Sequence, residues 1–153
     1  MAMFKKILFA FDGSAASLKA SKYAIHLSSL ENSDLIFLHV IEHIKQGGVI
    51  GLRAKYGDVK LIEGYTRTRK KNAEQWVRPI LKEAKDKGIK ARLDIVEDDG
   101  NSLVGVIVTY IEKNKTDLVV VGTRGLSKFK RLLMGSVASG VVYHSKCPVL
   151  IVK

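Results

Sequence analysis

The chain has 153 residues, the size of one domain with a full core, and is 46% hydrophobic with only 2 prolines, which points to a globular and not a disordered polypeptide. Its formal charge of +11 makes an acidic partner worth weighing, whether nucleotide, nucleic acid or anionic membrane, although lysines and arginines dispersed along helical segments also read as a solvated basic face. No apolar run approaches the roughly 20 residues that span a bilayer, and the single cysteine, Cys147, excludes an intrachain disulfide and fits a reducing, cytoplasmic compartment.

The opening MAMFKKILFAFDGS places two lysines before a short apolar run, as a signal peptide does, but Asp12 follows at once and residues 5–11 read better as a buried strand. Residues 15–30 have helical periodicity, with Leu18, Ala20, Tyr23, Ala24 and Leu27 near one face. DLIFLHVI, residues 34–41, is a second strand. A loop with Gly47, Gly48, Gly51 and Gly57 leads into a polar and basic helix from about 58 to 87, ended by Gly88. Pro79 inside it is expected to kink or divide it, because proline lacks a backbone donor and collides with the preceding turn.

IKARLDIV (89–96) is a third strand, 101–113 a third helix with Asn101 as a plausible N-cap, and DLVVV (117–121) a fourth strand. A helix over 136–145 and a strand over 148–152 complete the chain. Strand and helix thus alternate four times and close on a strand. That order calls for a parallel sheet covered by helices on both faces, since parallel neighbours need long crossovers. No boundary or internal repeat divides residues 1–153, so they read as one domain. Ligands of such sheets sit at the carboxyl ends of the strands, which narrows the search to residues 10–14, 39–51 and 122–136.

In AFDGS, residues 10–14, a carboxylate at a strand end either meets a ligand hydroxyl or amine, or simply closes the turn into the next helix; the residues favour neither. The segment 122–136 says more. Gly122 and Gly125 let the backbone come close to a ligand, and Gly135-Ser136 opens a helix whose first amides have no internal partners and whose dipole favours an anion. Ser136 can bond a phosphate or cap its own helix. Lys128, Lys130 and Arg131 add positive charge between the glycines. Neither the Walker pattern GxxxxGK[ST] nor the dinucleotide pattern GxGxxG is present.

The spacing Gly122-x2-Gly125-x9-Gly135-Ser136 resembles the G-2x-G-9x-G-[S/T] signature of the universal stress protein family, in its ATP-binding branch. KILFAFDGS, LHV at 38–40, DLVVVGTRG and the ending SKCPVLIVK are similar to family patterns as well, so the likeness runs through nearly the whole chain. The expected fold is α/β: a single-domain, Rossmann-like, open five-stranded parallel sheet of order 3-2-1-4-5 with helices on both faces. The resemblance implies that Asp12 contacts the nucleoside at its ribose, that Ala10, Phe11, Val40 and Val121 surround adenine, and that Gly122, Thr123, Arg124, Gly125, Gly135, Ser136 and Val137 form the phosphate loop. It further implies ATP as ligand, Mg or Mn held by its phosphates and not by protein ligands, and homodimers paired through the last strand, 148–152. Ala10 stands where related sequences often carry proline or valine.

No nucleophile constellation accompanies these residues. His39 and His43 flank Glu42 in a strand-to-loop segment that gives their spacing no fixed geometry, so surface or satisfied histidines are expected more than a metal site. Glu97, Asp98 and Asp99 read as the polar lip of a turn before Gly100, and Cys147 has no evident base. The expectation is therefore a cytoplasmic ATP-binding stress-response or regulatory protein, using nucleotide as a switch or a slow substrate. An adenine-nucleotide hydrolase is the alternative, but its SGGxDS-like loop is replaced here by FDGSAAS. A nucleic-acid-binding protein is less favoured, because the basic residues are dispersed with few interleaved aromatics.

Overall fold

The computed structural model describes residues 2–42, 57–98, 100, 102–123 and 134–153. Within them the elements are β1 (Lys6–Ala10), α1 (Ala15–Glu31), β2 (Asp34–Ile41), α2 (Val59–Asp86), β3 (Ala91–Glu97), α3 (Leu103–Lys113), β4 (Leu118–Gly122), α4 (Ser136–His144) and β5 (Val149–Val152). The strands form one sheet of order β3-β2-β1-β4-β5, and every neighbouring pair is parallel. This is the expected Rossmann-like α/β topology.

The three central strands are apolar on both sides because both faces are covered. On one face Ile7, Phe9, Leu35, Phe37 and Val120 pack with Ala20, Ala24 and Ile25 of α1 and Val77 and Ala84 of α2. On the other, Leu8, Ile36, Leu38, Val40, Val119 and Val121 pack with Ile107 and Ile111 of α3 and Ala138 and Val141 of α4. Each fully buried Leu, Ile or Phe contributes about 1.5–3 kcal/mol, so these two layers hold the sheet edge that carries the loops.

Local expectations meet three corrections. The face of α1 turned to the sheet is Ser17, Ala20, Ser21, Ala24, Ile25 and Ser28, while Tyr23, expected near the apolar face, is half exposed. Small side chains let α1 lie close to the sheet, and the Ser21 hydroxyl donates back to the Leu18 carbonyl at 2.5 Å, so its burial leaves no polar atom stranded. Pro79 does not divide α2, which runs unbroken through 28 residues. Pro79 lies on the solvent side, where the carbonyl it leaves unpaired can be hydrated. The cap of α3 is Ser102 and not Asn101: its Oγ accepts from the Gly105 amide at 3.0 Å. The glycines at 47, 48 and 51 lie outside the described residues, as does His43. No helix among the described residues is long and apolar enough to cross a membrane.

Candidate functional site

At the end of β1 the chain turns through Asp12, Gly13 and Ser14 into α1. Asp12 Oδ1 accepts the Ser14 amide at 2.9 Å, and Ser14 Oγ accepts the Ser17 amide at 3.1 Å, so carboxylate and cap build the turn together. Gly13 has φ +87, and a Cβ there would lie 2.4 Å from the Trp76 ring of α2. Only glycine fits. Asp12 therefore does close the turn, yet it does so with one oxygen, and among the described residues the other oxygen has no hydrogen-bond partner.

Beyond β4 the chain is tied in two places. The Thr123 amide donates to the Val152 carbonyl at 2.9 Å, and the Gly135 amide donates to the Thr123 carbonyl at 2.7 Å, which fixes the start of α4 beside the end of β4. α4 then begins at Ser136 with no side-chain cap. Of the two uses open to Ser136, capping its own helix is not the one seen. Among the described residues the first amides of the helix have no partner, the arrangement that favours an anion.

A cleft of about 290 Å³ opens here, at the carboxyl ends of β1, β2 and β4. It is lined by Ala10, Phe11, Asp12, Val40, Val121, Gly122, Thr123, Gly135, Ser136 and Val137, so ten of the twelve residues singled out in the sequence are brought together. Arg124 and Gly125 lie outside the described residues. Ala10, Leu38, Val40, Val121, Leu103 and Ile107 give the cleft an apolar wall suited to a flat ring, with Asp12 to one side and the bare end of α4 to another.

Four further polar residues line this cleft that were not among those twelve: Ser17, His39, Glu42 and Arg69. His39 is 3% exposed, wedged between Phe11 and Trp76 with ring centroids at 5.3 and 5.7 Å. Its Nδ1 lies 2.9 Å from the Phe11 carbonyl, which can only accept, so Nδ1 carries the proton and Nε2 is left as a buried acceptor without a partner among the described residues. Burial pushes the imidazole below its ordinary range; the bond to the Phe11 carbonyl opposes this, the charge of Arg69 adds to it and that of Asp12 opposes it. The expectation of a surface or satisfied histidine thus holds for one nitrogen only. Arg69 was legible in principle, since it stands four residues before the buried Ala73 on the inner face of α2. The run RTRKK hid it among solvated charges.

Other candidates resolve locally. Asp98 Oδ1 accepts the Gly100 amide at 2.9 Å, the turn that was expected, and Glu97 pairs with Lys70 at 3.3 Å. Among the described residues no group of three or more His, Cys, Asp or Glu could hold a metal ion.

The universal stress protein family matches this chain over residues 3–153. The chain belongs to that family. As a universal stress protein it is 32% identical to MJ0531 of Methanocaldococcus jannaschii over 151 residues, covering 99% of this chain and 83% of that protein. The solved structure of MJ0577 from the same organism superposes with a TM-score of 0.80 at 28% identity, covering 99% of this chain and 97% of the other. A universal stress protein solved in complex with cAMP matches at TM-score 0.60 and 25% identity, covering 98% and 97%.

Proposed function

We propose that this universal stress protein binds ATP in the cleft between β1, β2 and β4 and acts as a regulatory protein whose nucleotide is a switch or a slow substrate. The observation that carries the proposal is the uncapped N-terminus of α4 opening on the same cleft as an apolar wall and the free oxygen of Asp12. Anion, ring and hydroxyl are the three parts of a nucleotide. The relative bound to cAMP supports an adenine nucleotide as the class of ligand.

In this assignment Val40 and Val121 flank adenine, the backbone of Ala10 and Phe11 borders it, and Asp12 takes the ribose. Gly122, Thr123, Arg124, Gly125, Gly135, Ser136 and Val137 surround the phosphates. A helix N-terminus contributes about 0.3–2 kcal/mol to anion binding, whereas micromolar affinity requires about 8 kcal/mol. The apolar wall must therefore supply most of the affinity, and the loop chiefly orients the chain of phosphates. A divalent cation, Mg or Mn, would be held by those phosphates.

Calorimetry of the protein with ATP and Mg tests this. Binding is expected, and Gly135→Trp, which puts a bulky ring at the cleft wall, is expected to abolish it while the circular dichroism spectrum stays native. Unchanged ATP affinity in that variant would overturn the assignment. We also propose that two copies pair through β5, residues 148–152, to form a homodimer.

A further inference from the structure

One wall of the cleft is not used by the glycine loop. α2 packs Trp76, Val77, Ile80 and Ala84 against the sheet, and Arg69 lies on the same face two turns before Trp76, where the helix meets the cleft. The Tyr65 hydroxyl donates to the Glu42 carbonyl at 3.3 Å, and the Arg69 guanidinium lies 5.7 Å from the Tyr65 ring centroid. The side chain is thus held against a fixed aromatic platform. Its Nε is nevertheless buried with no hydrogen-bond partner, and no ion pair to it occurs among the described residues. Beside it His39 Nε2 is a buried acceptor in the same condition. Arg69 and His39, each with a buried nitrogen that lacks a partner among the described residues, line the cleft together with Asp12. Buried polar atoms are almost always paired, so such a set calls for a polar ligand group.

Two anion-attracting features therefore stand on opposite sides of the cleft. The bare N-terminus of α4 lies beyond β4, and Arg69 lies over the side of β2, with β1 between them. β2 and β4 are two strand spacings apart, about 10 Å, too far for one phosphate to serve both. We propose that Arg69 is a specificity-determining residue of this cleft, and that it selects adenine nucleotides bearing a second phosphate on the 2′ or 3′ edge of the ribose. The inference rests on the nucleotide assignment above. With the 5′ phosphate at α4 and the base on the Val40–Val121 wall, the hydroxyl edge of the sugar meets Asp12 and Arg69. Asp12 accepts the one proton of the remaining ribose hydroxyl, and the planar guanidinium takes the phosphate through its fork of N–H donors. A 5′ monophosphate leaves Arg69 without a partner.

The test titrates the full chain with 5′-AMP, adenosine 3′,5′-bisphosphate and adenosine 2′,5′-bisphosphate, by calorimetry and by the fluorescence of Trp76, the sole tryptophan. The wild type is expected to bind one or both bisphosphates at least about tenfold more tightly than 5′-AMP, and the tighter isomer identifies the ribose edge. Arg69→Gln should bring that ratio close to one, and Arg69→Lys, which keeps the charge without the fork, should restore part of it; melting curves confirm that both variants fold. Equal affinity for all three ligands in the wild type, or an unchanged ratio in Arg69→Gln, overturns the role of Arg69 and leaves nucleotide binding standing. Absence of binding by 5′-AMP, ATP and both bisphosphates overturns the nucleotide assignment itself and this inference with it.

Discussion

Asp12 lines the cleft and closes its own turn: Oδ1 holds the Ser14 amide at 2.9 Å, and the other oxygen has no hydrogen-bond partner among the described residues. Sequence spacing left those two uses as alternatives, and the structure shows the turn-closing bond while keeping the ligand contact open. His39 is the residue whose character most needed the fold. Its imidazole is pushed below the ordinary value of 6.5, chiefly by burial. The unfolded chain therefore takes up a proton near pH 6.5 that the folded chain accepts only at lower pH, so stability from this site is present above pH 6.5 and lost as pH falls from there. The slope is at most about 1.4 kcal/mol per pH unit. Urea unfolding of the wild type should show this loss on acidification, and His39→Asn, whose amide can still donate to the Phe11 carbonyl, should show a smaller slope by up to one proton. Identical slopes would mean that another group is responsible. The buried state of His39 could not be read from DLIFLHVI alone, because a polar residue in an apolar strand is tolerated or not according to the neighbours that α2 brings.

At the scale of elements, the start of α4 depends on how that helix seats against α3. A Cβ on Gly140 of α4 would lie 2.6 Å from Val104 Cγ2 and 2.9 Å from its Cγ1, so the two helices approach as closely as glycine permits. Alanine at a helix interior ordinarily gains up to about 1 kcal/mol over glycine. Here overpacking, about 1–3 kcal/mol, outweighs that gain. The net cost of up to about 2 kcal/mol means that Gly140→Ala should lower the melting temperature by up to about 8 °C, and adding Val104→Ala should recover most of the loss. A melting temperature that rises in the single variant would show that the helices separate freely. α2 teaches a related lesson. Proline at position 79 reads locally as a break, but its position on the solvent side spares the packed side, where Val77 and Ala84 hold the helix to the sheet. On the far edge, the Tyr110 hydroxyl of α3 donates to Asp94 of β3, and burial first, then that bond, pushes its phenol up to about 12. This ties α3 to the strand that borders β2.

At the scale of the molecule, the sheet leaves β5 as an edge. Pro148 and Val152 point their carbonyls at β4, where they accept from Val119 at 3.0 Å and Thr123 at 2.9 Å, so the alternation along the strand turns the backbone of Val149 and Ile151 outwards. An open edge with half-buried apolar side chains is suited to pairing with a second copy. Native mass spectrometry should find a dimer, and Ile151→Pro, which removes an outward N–H without touching the ladder to β4, should yield a monomer; a monomeric wild type would end the proposal. The alternation of strand and helix, and with it the parallel sheet, followed from the sequence alone, because hydrophobic period is a local property that tertiary contacts seldom reverse. The spacing of Gly122, Gly135 and Ser136 marked the loop for the same reason: glycines and a helix start advertise their backbone geometry in place. Only the tertiary structure decided that Ser102 caps α3, that small residues seat α1, and that His39 and Arg69 share a cleft with Asp12. Those facts depend on which side chains meet across segments distant in the chain, and a contact of that kind is set by register and close packing, which no local pattern encodes.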